Sequence, residues 1–180
     1  MQKELNWRSY AKLFETDWAV AIFLEQRKDR LEDWEIIFRK FILNKKKDSR
    51  KDLADGVFSV YIRIKNADKD GRCKCVTCWR VLHWREIQNG HYRSRLCNKY
   101  RFDERNCHPQ CKHCNLMLSG NYRNYHIYMV ERYGEEVESM LRNDKESVKY
   151  KQRWYEENIM EWWLFIKSVL YWDKKEIKDE

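Results

Sequence analysis

The chain has 180 residues, a formal net charge of +8, nine Trp and eleven Tyr. That is one ordinary domain or a small module with helical wrapping, too rich in apolar and aromatic residues to be a disordered chain. The longest apolar run near the N-terminus, Ala19 to Leu24, is too short for a secretion signal or a membrane span. The expectation is therefore a soluble cytoplasmic protein with no membrane partner, where clustered cysteines are metal ligands before they are disulfides.

In chain order, residues 17–43 read as one or two helices, with Trp34, Ile37, Phe38 and Phe41 at helical spacing. Asn44 to Asp52 is a basic, polar break. Leu53 to Lys65 resumes a helix with Val57, Phe58, Tyr61 and Ile64 on one face, and Ala67 to Gly71 is a turn. Beyond the cysteine region, Asn121 to Tyr133 and Glu135 to Leu141 read as two helices hinged at Gly134. A last helix runs from about Val148 to Lys174, with Tyr155, Ile159, Trp162, Ile166 and Val169 as its apolar stripe. Such stripes are core faces before they are anything else. No internal repeat or low-complexity tract interrupts the chain.

All seven cysteines and four of the five histidines lie between Cys73 and Cys114. The charge is concentrated there too. Between Arg72 and Arg123 stand eleven bases (Arg72, Lys74, Arg80, Arg85, Arg93, Arg95, Lys99, Arg101, Arg105, Lys112, Arg123) against three acids (Glu86, Asp103, Glu104), which accounts for the whole net charge. A basic segment between balanced flanks fits a polyanion, and nucleic acid is the expected partner.

Cys75-Val-Thr-Cys78 and Cys111-Lys-His-Cys114 are two C-x2-C pairs separated by 32 residues. Two such knuckles complete a tetrahedral four-sulfur site, the arrangement of structural zinc, with no open position for chemistry. Cys73 in place of Cys75 would give a poorer spacing. His113 could add a ligand, though four sulfurs suffice.

Between the knuckles lie Asn89-Gly-His-Tyr-Arg-Ser-Arg95 and Arg101-Phe-Asp-Glu-Arg-Asn106, and the second knuckle runs into Asn115. The order is a strand with a histidine, a loop, a strand with an asparagine, then a helix starting at the second knuckle. That is the layout of a ββα-metal (HNH-like) hairpin. Phosphodiester hydrolysis needs a base to activate water and a divalent cation to take charge on the leaving oxygen. His91 is the expected base, because an imidazole titrates near neutrality. Asn115 is the expected ligand of a catalytic magnesium or manganese. Asn106 is the expected brace that orients His91, and His108, two residues on, is a further site candidate. Arg93 and Arg95 could clamp phosphates, and Arg105, Lys112 and Arg123 are the other expected DNA contacts. His83 and His126 have no role in this reading. The fold class expected is α+β and mostly helical: a zinc-stapled ββα-metal module at 53–141 between an N-terminal helical extension at 1–52 and a C-terminal amphipathic helix at 142–180.

These motifs carry a resemblance. Cys75-Val-Thr-Cys78, Gly90-His-Tyr92, Arg101 to Asn106, His108-Pro-Gln-Cys111, Cys114-Asn115, Ser119-Gly-Asn121 and Tyr133-Gly-Glu-Glu136 resemble the NinG/Rap recombination proteins of tailed phages, from about Leu53 to Leu141. The resemblance implies an HNH-like nuclease fold and cleavage of branched DNA such as Holliday junctions and displacement loops. It implies zinc at Cys75, Cys78, Cys111 and Cys114, and an active site of His91, Asn106 and Asn115. Many ββα-metal nucleases place Asp before the catalytic His as a second cation ligand; here that position is Gly90. Asp103, Glu104, His108 or His91 itself could supply the ligand. A zinc-stabilised nucleic-acid-binding protein without catalysis is the rival reading. A third has Trp162, Trp163 and Trp172 dock on another phage recombination protein or on a second copy, since cutting a junction symmetrically takes two active sites.

Overall fold

In the computed structural model of the chain, the residues described are Lys47–Trp172, so the helices expected over 17–43 lie outside them. The architecture is α+β and mostly helical, with two small antiparallel hairpins. Helix α1 (Lys47–Lys65) is followed by β1 (Arg72–Lys74), β2 (Val81–His83) and β3 (Gln88–His91). Two short 3-10 turns, Asn98–Tyr100 and Glu104–Asn106, lead into β4 (Cys107–Gln110). A five-residue π turn at His113–Met117 precedes α2 (Tyr122–Tyr133), α3 (Glu135–Asn143) and α4 (Gln152–Trp172). The chain divides into two compact units, residues 62–149 and the segments on either side of them.

Helix α1 starts inside the segment expected to be a polar break. Nothing between Lys47 and Asp52 is Gly or Pro, and Lys and Arg are good helix formers. Arg50 is buried there and faces Glu156 at 3.9 Å. In the unit formed by the flanking segments, Phe58 and Tyr61 on α1 meet the α4 stripe: Phe58 lies 4.7 Å from Trp162, and Tyr61 meets Phe165 edge-on at 5.0 Å. Trp162 and Trp163 are buried, so these two candidates for partner docking are core residues.

The 62–149 unit holds the candidate chemistry. β1 pairs with β2 (Cys73 opposite Leu82), and β3 with β4, where Gly90 faces His108 and His91 faces Cys107. The Val76 amide donates to the Pro109 carbonyl and so ties the first knuckle to β4. The core gathers Val76, Tyr92, Tyr100, Tyr125, Met129 and Leu141. Gly134, at φ 85°, makes the corner between α2 and α3 at the expected place.

Two expectations of local structure are corrected. Asn106 closes a 3-10 turn before the strand rather than sitting on it. The helix does not start at the second knuckle: that segment is a single π turn, ended by Ser119, Gly120 and Asn121 in succession at φ 48°, 90° and 46°. Three left-handed residues cannot continue a right-handed helix, so α2 begins only at Tyr122. Among the described residues no helix is long and apolar enough to cross a membrane.

Candidate functional site

The two knuckles converge. The Sγ atoms of Cys75, Cys78, Cys111 and Cys114 all lie within 4.8 Å of one another, and Cys78 and Cys111 are 3.7 Å apart. Sulfurs on a tetrahedral zinc with bonds of about 2.3 Å would sit about 3.8 Å apart. Backbone and side-chain N–H groups point at the sulfurs: the Cys111 amide at Cys75 (3.2 Å), the Cys114 amide at Cys111 (3.5 Å) and Asn121 Nδ2 at Cys114 (3.5 Å). Burial raises the Cys75 thiol, but hydrogen bonds from Thr77 and three backbone amides outweigh it and bring the thiol down to about 6. Burial and the neighbouring thiols push Cys78 up to about 12. Burial and the charge of the Cys75 thiolate raise Cys111 as well, so thiolates crowded here favour a bound cation. The four cysteines could hold a metal ion such as zinc. Among the described residues they are the one group of three or more His, Cys, Asp or Glu side chains placed to do so. Cys73 stands apart: its thiol donates to the Arg63 carbonyl at 3.0 Å, and burial pushes it up to about 11. His113 is exposed and outside the group.

The hairpin beside this cluster carries His91 and is braced by Asn106. Asn106 is fully buried; its Oδ1 accepts from the Arg93 amide (2.7 Å), and its Nδ2 donates to the carbonyls of Arg93 (3.0 Å) and Tyr100 (2.9 Å). One side chain thus extends the β3 pairing by two bonds and closes the intervening loop. His91, half-buried at the end of β3, has Nε2 3.0 Å from the Arg101 carbonyl. Beside it, Tyr92 donates to the buried carboxylate of Glu138 and accepts from Tyr122 OH at 2.9 Å. Arg142 and His126 complete the contacts to Glu138, at 3.2 and 3.1 Å. Asn115, on the π turn, donates from Nδ2 to Gln88 Oε1 at 2.9 Å, which ties it to β3 three residues before His91.

His108 is placed differently from the others. It is 3% exposed and both ring nitrogens are engaged, Nδ1 with Tyr125 OH and Nε2 with Tyr133 OH, each at 2.9 Å. Tyr125 OH donates to the Gly90 carbonyl, so Nδ1 carries the proton toward Tyr125 and Nε2 accepts from Tyr133. Burial, with Arg132 adding to it, holds the imidazole down at about 3. His108 is a neutral interior brace with neither nitrogen turned to solvent. Its position two residues after Asn106 carried the opposite expectation, but the side chain points under α2.

Gly90 has a local cause. A Cβ there would sit 2.4 Å from Gln110 Oε1 and 2.8 Å from Gln110 Cβ. Gln110 is fully buried, donates from Nε2 to Thr77 Oγ1 and the Gly120 carbonyl, and leaves Oε1 without a hydrogen-bond partner. The glutamine fills the space that an acidic side chain at position 90 would need. Sequence reading passed over Gln110, although its place directly before the second knuckle, on the strand opposite Gly90, was the available signal.

The expected DNA contacts divide in two. Arg105 is paired with Asp103 through two bonds of 3.0 and 2.7 Å, and Arg93 donates to the Leu141 carbonyl at 2.5 Å. Arg95, Lys112 and Arg123 are exposed and have no side-chain partner among the described residues; Arg72 and Arg80 share that state.

Comparison with known proteins follows the same stretch. The family described as Bacteriophage Lambda NinG protein matches residues 21–169. The protein ninG of Salmonella phage P22 is 38% identical over 81 residues, covering 42% of this chain and 38% of that protein. Those of Escherichia phages 933W and lambda are 35% and 34% identical over 92 residues, covering 51% of this chain and 42% of each relative. The matched stretches thus cover about two fifths of the relatives' own length. No solved structure matches. With both knuckles, the braced hairpin, α2 and α3 all inside the matched residues, the chain belongs to the NinG family of phage proteins.

Proposed function

We propose that the protein is a metal-dependent endonuclease of the HNH-like, ββα-metal type that hydrolyses phosphodiester bonds in branched recombination intermediates of a phage, such as Holliday junctions and displacement loops. The observation that carries the reading is the anchoring of His91 and Asn115 to one strand: Asn106 braces its end, and Asn115 is held to it through Gln88. In this reading His91 takes the proton from the attacking water, while Asn106 fixes the strand end that presents it. The four cysteines hold a structural zinc and keep the π turn against β3. A magnesium or manganese ion would take Asn115 as a ligand and supply charge stabilisation on the leaving oxygen. The donors at this place are neutral, so the DNA phosphates would bring the negative charge. Arg95, Lys112 and Arg123 bind phosphates. The work would be done in the host cytoplasm, and two cuts on one junction call for a homodimer on the DNA or a partner among other phage recombination proteins.

One observation favours a second reading. Gln110 fills the place of the acid that many nucleases of this type carry, and a site short of a ligand would make a zinc-stabilised DNA-binding accessory protein without catalysis. Incubating the full chain, and His91→Ala beside it, with a labelled four-way junction and a matching linear duplex separates the two. Junction cleavage that needs magnesium or manganese and falls at least about 100-fold in His91→Ala is expected of a general base. Cleavage by His91→Ala at the unsubstituted rate would sink the nuclease assignment, and binding without cleavage under both cations would favour the accessory protein.

A further inference from the structure

The second half of the π turn and the residue after it present three consecutive large apolar side chains to water: Leu116 at 55%, Met117 at 70% and Leu118 at 48% exposure. Single exposed apolar residues are ordinary, but an unbroken exposed run costs solubility and is kept only for a use. The turn is also held at both ends. The Gly120 amide donates to the Cys114 and Asn115 carbonyls, the Leu118 amide to His113, and Gln110 Nε2 to the Gly120 carbonyl at 2.6 Å. Cys114 at its start belongs to the four-cysteine cluster. Three left-handed residues, Ser119 to Asn121, then turn the chain away. The result is an apolar tip whose backbone is fixed before any partner arrives.

Its surroundings narrow the partner. No Asp or Glu occurs from Gly71 to Arg85 or from Asn106 to Val130, the two stretches that build the knuckles and the tip. Arg80, Lys112 and Arg123 in those stretches are exposed and without a side-chain partner among the described residues. An apolar tip carried by basic stretches that contain no acid suits a polyanion that also offers apolar faces, which is what unstacked nucleobases provide between phosphates.

We propose that Leu116, Met117 and Leu118 form a wedge that enters DNA between bases at a branch point while Arg80, Lys112 and Arg123 hold the flanking phosphates. The inference rests on the branched-DNA reading above and deepens it. Inserting apolar side chains between stacked base pairs costs unstacking energy in a continuous duplex. At a branch the stack is already interrupted and the cost falls. The wedge is thus a source of preference for branched DNA that makes no use of base sequence. Asn115 directly precedes it, so insertion would fix where along the strand the neighbouring chemistry acts.

The test uses the full chain with no added divalent cation, so that strands stay uncut, and a four-way junction carrying 2-aminopurine in the pair next to the branch. The fluorescence of this base rises when it unstacks. The expected result is a rise on binding that Met117→Ser largely removes, with junction affinity about tenfold weaker and linear-duplex affinity within about twofold. The dependence of binding on salt should not change, because no phosphate contact is lost. Leu116→Ser, with unchanged zinc content and helical ellipticity, serves as the second variant. A fluorescence rise undiminished in both variants overturns the wedge; if the junction is still cleaved in magnesium, the nuclease reading survives without it. A chain that binds no DNA removes both readings. Self-association of the free chain that Met117→Ser dissolves would instead make the tip a contact between copies, and the wedge would be wrong.

Discussion

Gly90 and Gln110 act as one unit at the residue scale, since the amide of one fills the side-chain space of the other. Gly90→Ala should cost about 1–3 kcal/mol in chemical denaturation, the usual price of overpacking a rigid interior. It should cost less in a Gln110→Ala background, because there Oε1 and Cδ are gone and only the Gln110 Cβ, at 2.8 Å, still opposes the new methyl group. Equal costs in both backgrounds would show that the close approach is not what dictates the glycine. His108 makes a pH prediction. Its folded value of about 3 lies below the ordinary histidine value of 6.5, so below pH 6.5 the unfolded chain binds the proton more readily. The stability from keeping this ring neutral is complete above pH 6.5 and is lost as pH falls toward 3, by roughly 3 kcal/mol at pH 4. The comparison with His108→Phe isolates the ring: the variant is weaker at pH 7, since Tyr125 and Tyr133 lose a partner, but its stability should fall less steeply on acidification. Parallel slopes for the two proteins would refute the assignment.

Among the elements, the parts carried by covalent spacing were the legible ones. The C-x2-C pairs point to the cysteine cluster because two residues between thiols allow one knuckle geometry. The α2–α3 corner follows from one glycine, and the α4 stripe from a 3.6-residue period. Asn106, expected on a strand, instead closes a turn, where its buried amide bonds the chain at Arg93 and Tyr100. What escaped is what depends on partners distant in sequence. The π turn was read as the first turn of a helix because nothing before Ser119 breaks helical spacing. The burial of His108 depends on tyrosines 17 and 25 residues away. The pairing of Arg105 with Asp103 was close in sequence, but whether an arginine faces an acid or solvent is a matter of rotamer. The elements between Arg72 and Met117 are short, and two of the four strands have three residues, so little apolar core secures them. If zinc fills the four-cysteine cluster, removing it should therefore melt the 62–149 unit, since structural zinc is worth about 10–16 kcal/mol in small peptides. The expected result is one zinc per chain by mass spectrometry, lost in Cys114→Ser and retained in Cys97→Ser. Chelation should abolish the near-ultraviolet signal of that unit's aromatic core. An unchanged spectrum and melting curve after complete zinc removal would show that packing alone holds it.

Taken as a whole molecule, the chain has a net charge that overstates what it can offer DNA. Eleven bases crowd the segment from Arg72 to Arg123, and if each neutralised a phosphate the logarithm of affinity would fall with that of salt at a slope of about −10. Several are committed inside the protein. Lys99 sits between Asp144 and Glu146, each at 2.5 Å, and Arg105 is paired with Asp103. Arg93 and Arg101 donate to backbone carbonyls, while Lys74 and Arg85 lie over the rings of Trp79 and Trp84. Five exposed side chains remain without partners among the described residues: Arg72, Arg80, Arg95, Lys112 and Arg123. A base already paired with a carboxylate, as Lys99 and Arg105 are, releases few counterions on meeting a phosphate, and the four held by carbonyls or rings must first leave those contacts, so only these five should contribute fully. The expected slope for duplex binding is about −4.5, and Lys112→Ala or Arg123→Ala should each flatten it by nearly one. Arg105→Ala should leave the slope unchanged, although it removes the same formal charge. A slope near −10, or an equal effect from Arg105→Ala, would mean that the internal pairs open on DNA, and that the whole basic stretch, rather than its uncommitted fraction, forms the binding surface.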